Sequence, residues 1–270
     1  MDTKRGSADL HGQLLSLVGP ERLESDEMRP LRLALEFSEA ERALKENGIA
    51  STVVVFGSHL ILSPENAEEA LANAQDAQQR ARAEQSQALA TWYAQARAFG
   101  HLVSERGGAL ATDGPRNNVI TTGGGPGIME AANRGAADAG APTIGFNIVL
   151  PEEQVPNPYT TPDLTFTFRY FAIRKLHFAM RANALAIFPG GLGTMDELFE
   201  ILTLMQTRKT TRIPVVLFSR DYWRTIVNFE ALVDLGTIRP QDADLFEMVD
   251  NAEEAWQVLI RRGLLEAPPP

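Results

Sequence analysis

Residues 184–197 read Ala184-Leu-Ala-Ile-Phe-Pro-Gly-Gly-Leu-Gly-Thr-Met-Asp-Glu197. An apolar run typical of a buried strand ends at Pro189, and three glycines follow within four residues. From Thr194 onward, apolar residues recur at the spacing of a helix. Glycines let a ligand approach the backbone, and the first amides of a helix are free to bind it. The stretch therefore predicts an anion site between a strand and a helix of an α/β protein.

Two interpretations of Thr194 and Glu197 are open at this point. Thr194-x-x-Glu197 fits a capping box, in which Thr caps the helix and Glu reaches back to the cap amide. A capping box does not explain Gly190, Gly191 and Gly193, because a tight turn needs only one or two glycines. In the second interpretation, the carboxylates beside the anion site serve catalysis on a phosphorylated substrate.

The composition restricts the class of protein. The chain has 270 residues, of which 44% are hydrophobic and 22% charged, as expected for a globular protein with a sizeable core. Its formal net charge of −10 argues against a nucleic-acid or anionic-membrane partner. The absence of cysteine excludes disulfides, thiolate metal sites and thiol nucleophiles. With no secretory leader or membrane-length apolar run, we expect a cytoplasmic protein.

Apolar and β-branched runs alternate with helical stretches along the chain. This alternation predicts an α/β fold, a parallel sheet with helices on both faces. Residues 65–99 are expected to form one long helix or two, with Gly100 and the Gly107-Gly108 pair marking the end. Strands are predicted at 51–56, 118–122, 143–150, 185–188 and 214–218, with two helical stretches after the last of them.

Three segments of the chain are predicted to differ in role. Residues 1–50 are expected to be an N-terminal helical extension, with an amphipathic helix over 30–47 that packs on the core or on a partner subunit. Residues 51–262 would form the catalytic domain, and residues 263–270 a tail.

Three glycine turns follow predicted strands: Gly57-Ser58, Gly123-Gly-Gly-Pro-Gly127 and the turn at 190–193. The carboxyl ends of parallel strands share one edge of a sheet, so these turns are expected to converge on one crevice. The sequence matches neither a P-loop nor a dinucleotide fingerprint, which needs glycine where this chain has Ile128. A mononucleotide or a sugar phosphate is therefore the favoured ligand.

Arg174 and Lys175 precede the third turn and lie among apolar residues. Adjacent helical positions point about 100° apart, so at most one of the two side chains can easily avoid the site. An arginine in the crevice would give bidentate contacts to a phosphate. The alternative is that both are ordinary solvated helix charges.

With these residues in place, the chain resembles the Lonely guy family, the cytokinin riboside 5′-monophosphate phosphoribohydrolases and their bacterial relatives. The resemblance runs from about residue 52 to about residue 259. It is carried by Gly123–Asn133, by the pair Arg174-Lys175 and by Pro189–Glu197, which matches the family signature PGGxGTxxE. The N-terminal helix resembles the extension of the longer bacterial members.

The resemblance implies a Rossmann-like fold, a homodimer or larger assembly, and no metal or organic cofactor. Arg174 and Glu197 match the catalytic pair of the family. Together with the glycine turns, it indicates the following substrate- or phosphate-binding residues: Gly57, Ser58, Gly124, Gly125, Gly127, Lys175, Gly190, Gly191, Gly193, Thr194 and Thr203. Family members usually continue the first turn as Gly-Ser-Ala-Arg, whereas this chain has Gly57-Ser58-His59-Leu60.

The implied reaction is hydrolysis of the N-glycosidic bond of a purine nucleoside 5′-monophosphate, AMP or an N6-modified cytokinin type. The products are a free base and ribose 5-phosphate. The alternative is a non-catalytic nucleotide or molybdenum-cofactor carrier with a similar glycine-rich signature. A "lysine decarboxylase" label attached to some relatives finds no support, because no Schiff-base lysine with a partner for a pyridine nitrogen is recognisable.

Overall fold

The computed structural model describes residues 20–151 and 155–264. Seven parallel strands form one sheet in the order β4-β3-β2-β1-β5-β6-β7. The strands are β1 (Thr52–Phe56), β2 (Val119–Thr122), β3 (Ile144–Ile148), β4 (Thr165–Phe168), β5 (Ala182–Ile187), β6 (Val215–Phe218) and β7 (Glu247–Val249). The α/β parallel sheet predicted from the sequence is confirmed.

Ten α-helices in the described residues accompany the strands. They are α1 (Pro20–Leu23), α2 (Arg29–Glu46), α3 (Pro64–Ala72), α4 (Ala77–Arg106), α5 (Ile128–Asp138), α6 (Phe171–Met180), α7 (Leu192–Gln206), α8 (Arg220–Ile226), α9 (Phe229–Asp234) and α10 (Ala252–Arg261). No helix in the parts of the chain described is both long and apolar enough to cross a membrane.

The strand order reverses between β1 and β5. The chain adds β2, β3 and β4 on one side of β1, then returns to place β5 on the other side, with Val54 opposite Leu185. In sheets of this type, ligands bind beyond the carboxyl ends of the strands at the reversal point. The topology therefore selects the turns after β1 and β5 as the walls of a binding crevice.

Both faces of the sheet are covered, as the sequence predicted. Successive side chains of β1 alternate between two hydrophobic clusters, with Val53 and Val55 in one, and Val54 and Phe56 in the other. The first cluster includes residues of α4, α5 and α10, and the second includes residues of α2, α6 and α7. Because both faces are buried, the strands have continuous rather than alternating apolar sequences.

The N-terminal helix packs on the core of the same sheet. Helix α2 is shifted by one residue from the predicted 30–47, and its Ala40 and Leu44 are buried in the cluster beside α6. Helix α2 of the extension thus packs on the core, which is the first of its two expected roles. Residues 1–19 of the predicted extension and 265–270 of the predicted tail lie outside the described residues, and the domain boundaries stay predictions.

Several details refine or correct the sequence-based expectations. Residues 65–99 fall on two helices, α3 and α4, which is one of the two expected arrangements, and α4 continues through Gly100 and ends at Arg106, directly before the Gly107-Gly108 pair. A Cβ at position 100 would lie 2.3 Å from the carbonyl oxygen of Ala132, so this glycine permits close packing of α4 on α5 rather than ending the helix. Strands β4 and β7 were not predicted, and three α-helices rather than two follow β6.

Candidate active site

A cavity of about 320 Å³ opens at the strand-order reversal, beyond the carboxyl ends of β1 and β5. This volume is in the range of small-molecule sites. Residues from all three glycine turns line it, as does the N-terminal part of α7. The polar and glycine residues of the lining are Gly57, Ser58, His59, Gly123, Arg174, Gly191, Gly193, Thr194, Asp196 and Glu197.

The third glycine turn presents free backbone amides. Helix α7 begins at Leu192, two residues before the predicted start, with Gly191 as N-cap and no side-chain cap. The first bond of the helix runs from the Met195 amide to the Gly191 carbonyl, so the three preceding amides have no acceptor within the helix. Because Thr194 lies inside the first turn, the capping-box interpretation is wrong.

The glycines of this turn differ in what surrounds them. A Cβ at Gly191 or Gly193 would meet no atom within 4 Å, and both residues line the cavity. A Cβ at Gly190 would lie 2.1 Å from the Thr194 hydroxyl, and the Tyr222 hydroxyl donates a 2.6 Å hydrogen bond to the Gly190 carbonyl. Gly190 therefore serves the packing of the turn, whereas Gly191 and Gly193 leave space beside the free amides.

The second glycine turn is packed against the protein. Gly124 and Gly127 have positive φ angles of 72° and 70°, and a Cβ on either would approach neighbouring atoms to 2.5 Å. The Asn157 amide groups donate to the carbonyls of Gly124 and Gly125, at 2.8 and 3.1 Å. In this turn only Gly123 lines the cavity. The other glycines set the shape of the turn behind the cavity wall.

Glu197 lies on the buried side of α7 and faces the cavity, with 6% of its surface exposed. No group in the described ranges donates a hydrogen bond to its carboxylate. Burial raises the pKa of Glu197 to about 7, against the lowering effect of the Lys175 and Arg174 charges. A carboxyl with this pKa holds or releases a proton near neutral pH, which suits acid–base chemistry.

Arg174 and Lys175 point to different surroundings, as adjacent helical residues must. The Arg174 guanidinium lines the cavity and donates to the Phe146 carbonyl at 2.7 Å, and its burial lowers its pKa. The Lys175 ammonium is 2.7 Å from both Asp196 and Glu200 and does not line the cavity. Arg174 is thus accessible to a ligand in the cavity, whereas Lys175 neutralises the carboxylates of Asp196 and Glu200.

Thr203 lies apart from the cavity. Its exposed hydroxyl donates a 2.6 Å hydrogen bond to the Phe199 carbonyl, one turn back along α7. His59, by contrast, is exposed on the cavity lining directly after Gly57 and Ser58. The described chain therefore brings together on the cavity lining Gly57, Ser58, Arg174, Gly191, Gly193, Thr194 and Glu197. The other predicted site residues do not line it: Gly124, Gly125, Gly127, Lys175, Gly190 and Thr203.

Sequence reasoning missed an apolar wall of the cavity. This wall consists of Phe56, Leu60, Met129, Ile148, Leu150, Phe171 and Leu192. In a sequence, such residues are indistinguishable from core. The only signal was their position directly after strands or at the start of a helix, where Leu192 and Phe171 prove to be 90% and 50% exposed.

Comparisons with known proteins give matches of several kinds. A protein-family model described as "Possible lysine decarboxylase" matches residues 129–259. Cytokinin riboside 5′-monophosphate phosphoribohydrolase LOG5 of Arabidopsis thaliana is 28% identical over 148 residues, 53% of this chain and 63% of that protein. Probable cytokinin riboside 5′-monophosphate phosphoribohydrolase LOG4 of Oryza sativa subsp. japonica is 29% identical over 141 residues, 51% of this chain and 60% of that protein.

The resemblance to the Lonely guy family is confirmed. The match spans less than two thirds of the length of these Lonely guy relatives. The residues matched by the family model include Arg174, Lys175 and the signature at 189–197, whereas Gly57, Ser58 and the turn at 123–127 precede them. A solved structure, the molybdenum cofactor binding protein from Rippkaea orientalis, has 20% identity and a TM-score of 0.44, covering 63% of this chain and 87% of that one.

Proposed function

We propose that this protein hydrolyses the N-glycosidic bond of a purine nucleoside 5′-monophosphate, releasing the base and ribose 5-phosphate. The observation that carries the proposal is the buried Glu197 carboxyl, which faces the cavity, accepts no hydrogen bond from the described residues and lies beside the first amides of α7. The similarity to phosphoribohydrolases of cytokinin riboside 5′-monophosphates supports the same reaction class.

In the proposed complex, the 5′-phosphate binds the amides that begin at Leu192. The helix N-terminus and the space beside Gly191 and Gly193 favour an anion there. The Arg174 guanidinium supplies positive charge from the facing wall. The base packs on the apolar wall that contains Phe171, and the ribose lies between base and phosphate, facing Glu197.

The proposed chemistry needs no group beyond the protein and water. As the C1′–N bond breaks, its electron pair leaves with the base and positive charge develops on the ribose. The ionised Glu197 carboxylate stabilises that charge in a low-dielectric site. The water oxygen bonds to C1′, one water proton stays on the new hydroxyl, and the other ends on the departing base nitrogen. The Glu197 pKa of about 7 lets the carboxyl relay this proton.

The proposal includes an assembly and a location. We propose a cytoplasmic homodimer or larger oligomer. Apolar side chains exposed on the helices around the cavity support self-association: Phe171, Leu176 and Met180 on α6, and Leu192 and Phe199 on α7. Light scattering after size exclusion is expected to give at least twice the 29.6 kDa chain mass, and a monomer would contradict this part of the proposal.

Turnover assays test the reaction. The purified protein is incubated with AMP, isopentenyl-AMP, GMP and CMP, and free base and ribose 5-phosphate are quantified by chromatography. We expect turnover of AMP or of its N6-modified form, with an inflection of kcat/KM near pH 7. Binding of AMP without product from any nucleotide would favour the carrier alternative instead.

The variant Glu197→Gln tests the role of the carboxylate in the reaction. It keeps the shape of the side chain, and we expect it to lower kcat about a thousandfold. Its matched control is Glu68→Gln, which removes an exposed carboxylate from α3. Activity within twofold of wild type in Glu197→Gln would reject the role proposed for Glu197.

The description of the matching family model as a possible lysine decarboxylase does not fit Lys175. A Schiff-base lysine must lose its proton to react. Although burial lowers the pKa of Lys175, the hydrogen bonds to Asp196 and Glu200 outweigh burial and raise it. The lysine nearest the cavity is therefore held as an ammonium.

A further inference from the structure

The geometry points to helix α2 of the N-terminal extension as a positioning element for Arg174, because it holds helix α6 at both ends. The inference concerns how the protein places a residue of the proposed site, and it rests on the proposed function only for the role of Arg174 in binding a nucleotide. Arg174 lies near the middle of α6 (Phe171–Met180), so its position depends on where that helix is fixed.

At the N-terminal end of α6, α2 supplies the cap that α6 lacks. Tyr170 is the N-cap residue, and its own side chain makes no capping bond. The Glu36 carboxylate instead accepts the backbone N–H groups of Arg169 and Tyr170, at 2.8 and 3.3 Å. The Arg32 guanidinium also donates to the Tyr170 hydroxyl at 2.8 Å. A carboxylate at the N-terminus of a helix accepts hydrogen bonds from unpaired amides and interacts favourably with the positive end of the helix dipole.

At the other end of α6, a second carboxylate of α2 holds the chain. The Arg181 guanidinium forms two parallel hydrogen bonds to the Glu41 carboxylate, at 2.7 and 2.8 Å, and both side chains are less than one fifth exposed. The hydrogen bond from Arg181 lowers the pKa of Glu41 to about 2, so the pair is ionised at neutral pH. Paired and partly buried charges of this kind fix geometry well.

Between the two ends, aromatic packing joins the helices. The Phe37 ring stacks on the buried His177 ring with centroids 5.1 Å apart. The α2 residues in these contacts are numbers 32, 36, 37 and 41, of which 32 and 36, and 37 and 41, are neighbours one turn apart. Their partners run in the same direction along α6, from 170 to 181. Helix α2 therefore lies along the whole of α6 and fixes its position along the helix axis.

The two helices that border the cavity differ at their N-termini. The Glu36 carboxylate lies at the start of α6, where it accepts the amides of the N-cap residue Tyr170 and of Arg169 before it, and a carboxylate there disfavours a second anion. At the start of α7, no carboxylate of the described residues accepts the first amides. The Arg174 side chain is then the group through which α6 acts on the cavity, anchored at the Phe146 carbonyl.

The test compares Glu36→Ala with Glu39→Ala. Both residues are on α2, but the Glu39 carboxylate is exposed and pairs with Arg42 of the same helix. Hydrogen exchange measured by mass spectrometry on the peptide covering residues 171–180 is expected to be about tenfold faster in Glu36→Ala and unchanged in Glu39→Ala. Glu36→Gln, which keeps one acceptor, is expected to lie between wild type and Glu36→Ala. Equal exchange in the two alanine variants would overturn the inference.

A second measurement tests the link to Arg174. We expect Glu36→Ala to weaken AMP affinity, measured by calorimetry, about tenfold. In an Arg174→Ala background the same change is expected to add nothing, because the residue through which it acts is gone. Independent, additive losses would overturn the link. If wild type binds no AMP, the proposed function fails, and the exchange experiment still decides whether α2 holds α6.

Discussion

The turns Gly123–Gly127 and Gly190–Gly193 both follow a buried strand and precede a helix, yet their glycines have different surroundings. In the first turn, side chains at positions 124 and 127 would collide with protein atoms. In the second, side chains at 191 and 193 would project into open space. Glycine in a packed turn is explained by the fold itself. Glycine beside open space and free amides has no such explanation, and it therefore points to a ligand.

The buried polar residues beside the two turns also differ in their hydrogen bonding. Behind the packed turn, buried Thr122, Asn133 and Asn157 hydrogen-bond to one another and to the backbone. Beside the open turn, Glu197 is equally buried but accepts no hydrogen bond from the described residues. A satisfied buried network specifies structure. A largely buried carboxyl that faces a cavity and has no donor among the described residues is held at a cost in stability, which is typical of functional sites.

The largest expected effect is on the packed turn. Gly127→Ala places a Cβ 2.5 Å from the Ser58 carbonyl oxygen at a φ of 70°, and we expect it to lower the free energy of unfolding by about 3 kcal/mol. Gly193→Ala in the open turn is the matched control. Because Gly193 lies in the first turn of α7, alanine there is expected to leave stability unchanged or raise it by up to about 1 kcal/mol. Urea unfolding of both variants measures the difference, and equal losses would contradict it.

The reverse experiment adds bulk to the open turn. Gly191→Val has room for its side chain in the free protein, and its backbone is extended, so the melting temperature is expected to stay within about 2 °C of wild type. The valine would occupy the space assigned to the phosphate, and we expect AMP affinity to fall about thirtyfold, or about 2 kcal/mol. Calorimetric titration measures this. Unchanged affinity would remove the open turn from the proposed site.

Removing hydrogen bonds from the packed turn is expected to cost less stability than the steric collision in Gly127→Ala. Asn157→Ala removes the hydrogen bonds from its side-chain amide to the Gly125 carbonyl and to Asn133, and we expect a loss of about 2 kcal/mol in unfolding free energy. Asn117→Ala is the control, because the half-buried Asn117 side chain makes only longer bonds, from its amide to the Pro115 carbonyl at 3.3 Å and from the Ser51 hydroxyl at 3.4 Å. A loss in Asn157→Ala no larger than in Asn117→Ala would show that these bonds do not hold the turn.

The interior strands of the sheet could be predicted from the sequence, but its two edge strands could not. Runs such as Ser51–Phe56 predicted interior strands because burial on both faces leaves a continuous apolar signal. The edge strands β4 and β7 are only partly buried and have no continuous apolar run, and they were missed. The parallel-sheet rule also predicted that three distant glycine turns share one edge, as they do.

Within the site, neither the direction of the side chains nor the composition of the apolar wall could be predicted from the sequence. Arg174 and Lys175 are neighbours with the same charge, and only the packing of α6 determines that the first faces the cavity and the second faces Asp196. Whether a glycine is packed or open depends on atoms distant in sequence, as Asn147 is from Gly124. The role of α2 was equally inaccessible, because the pairing of Glu36 with residue 169 spans more than a hundred positions.

The smallest expected effect tests whether the Glu197 carboxyl, beside the open turn, lowers the stability of the folded protein. The pKa of Glu197 is about 7 in the fold against an ordinary value of 4.5. As pH falls through 7, the native state takes up a proton before the unfolded state does, so wild type gains stability between pH 7 and pH 4.5. Glu197→Gln has no proton to gain. We therefore expect the variant to be more stable than wild type by about 1–2 kcal/mol at pH 8, and the gap to close by pH 5.

Urea unfolding at pH 8, 7, 6 and 5 measures the gap between Glu197→Gln and wild type. Glu68→Gln, which removes an exposed carboxylate from α3, is measured in parallel as the control. A gap that is constant, or that widens toward pH 5, would show that Glu197 is not held in its neutral form by burial. The contrast between a satisfied network behind one turn and an unsatisfied acid beside the other would then be lost, and with it the proton relay proposed for the reaction.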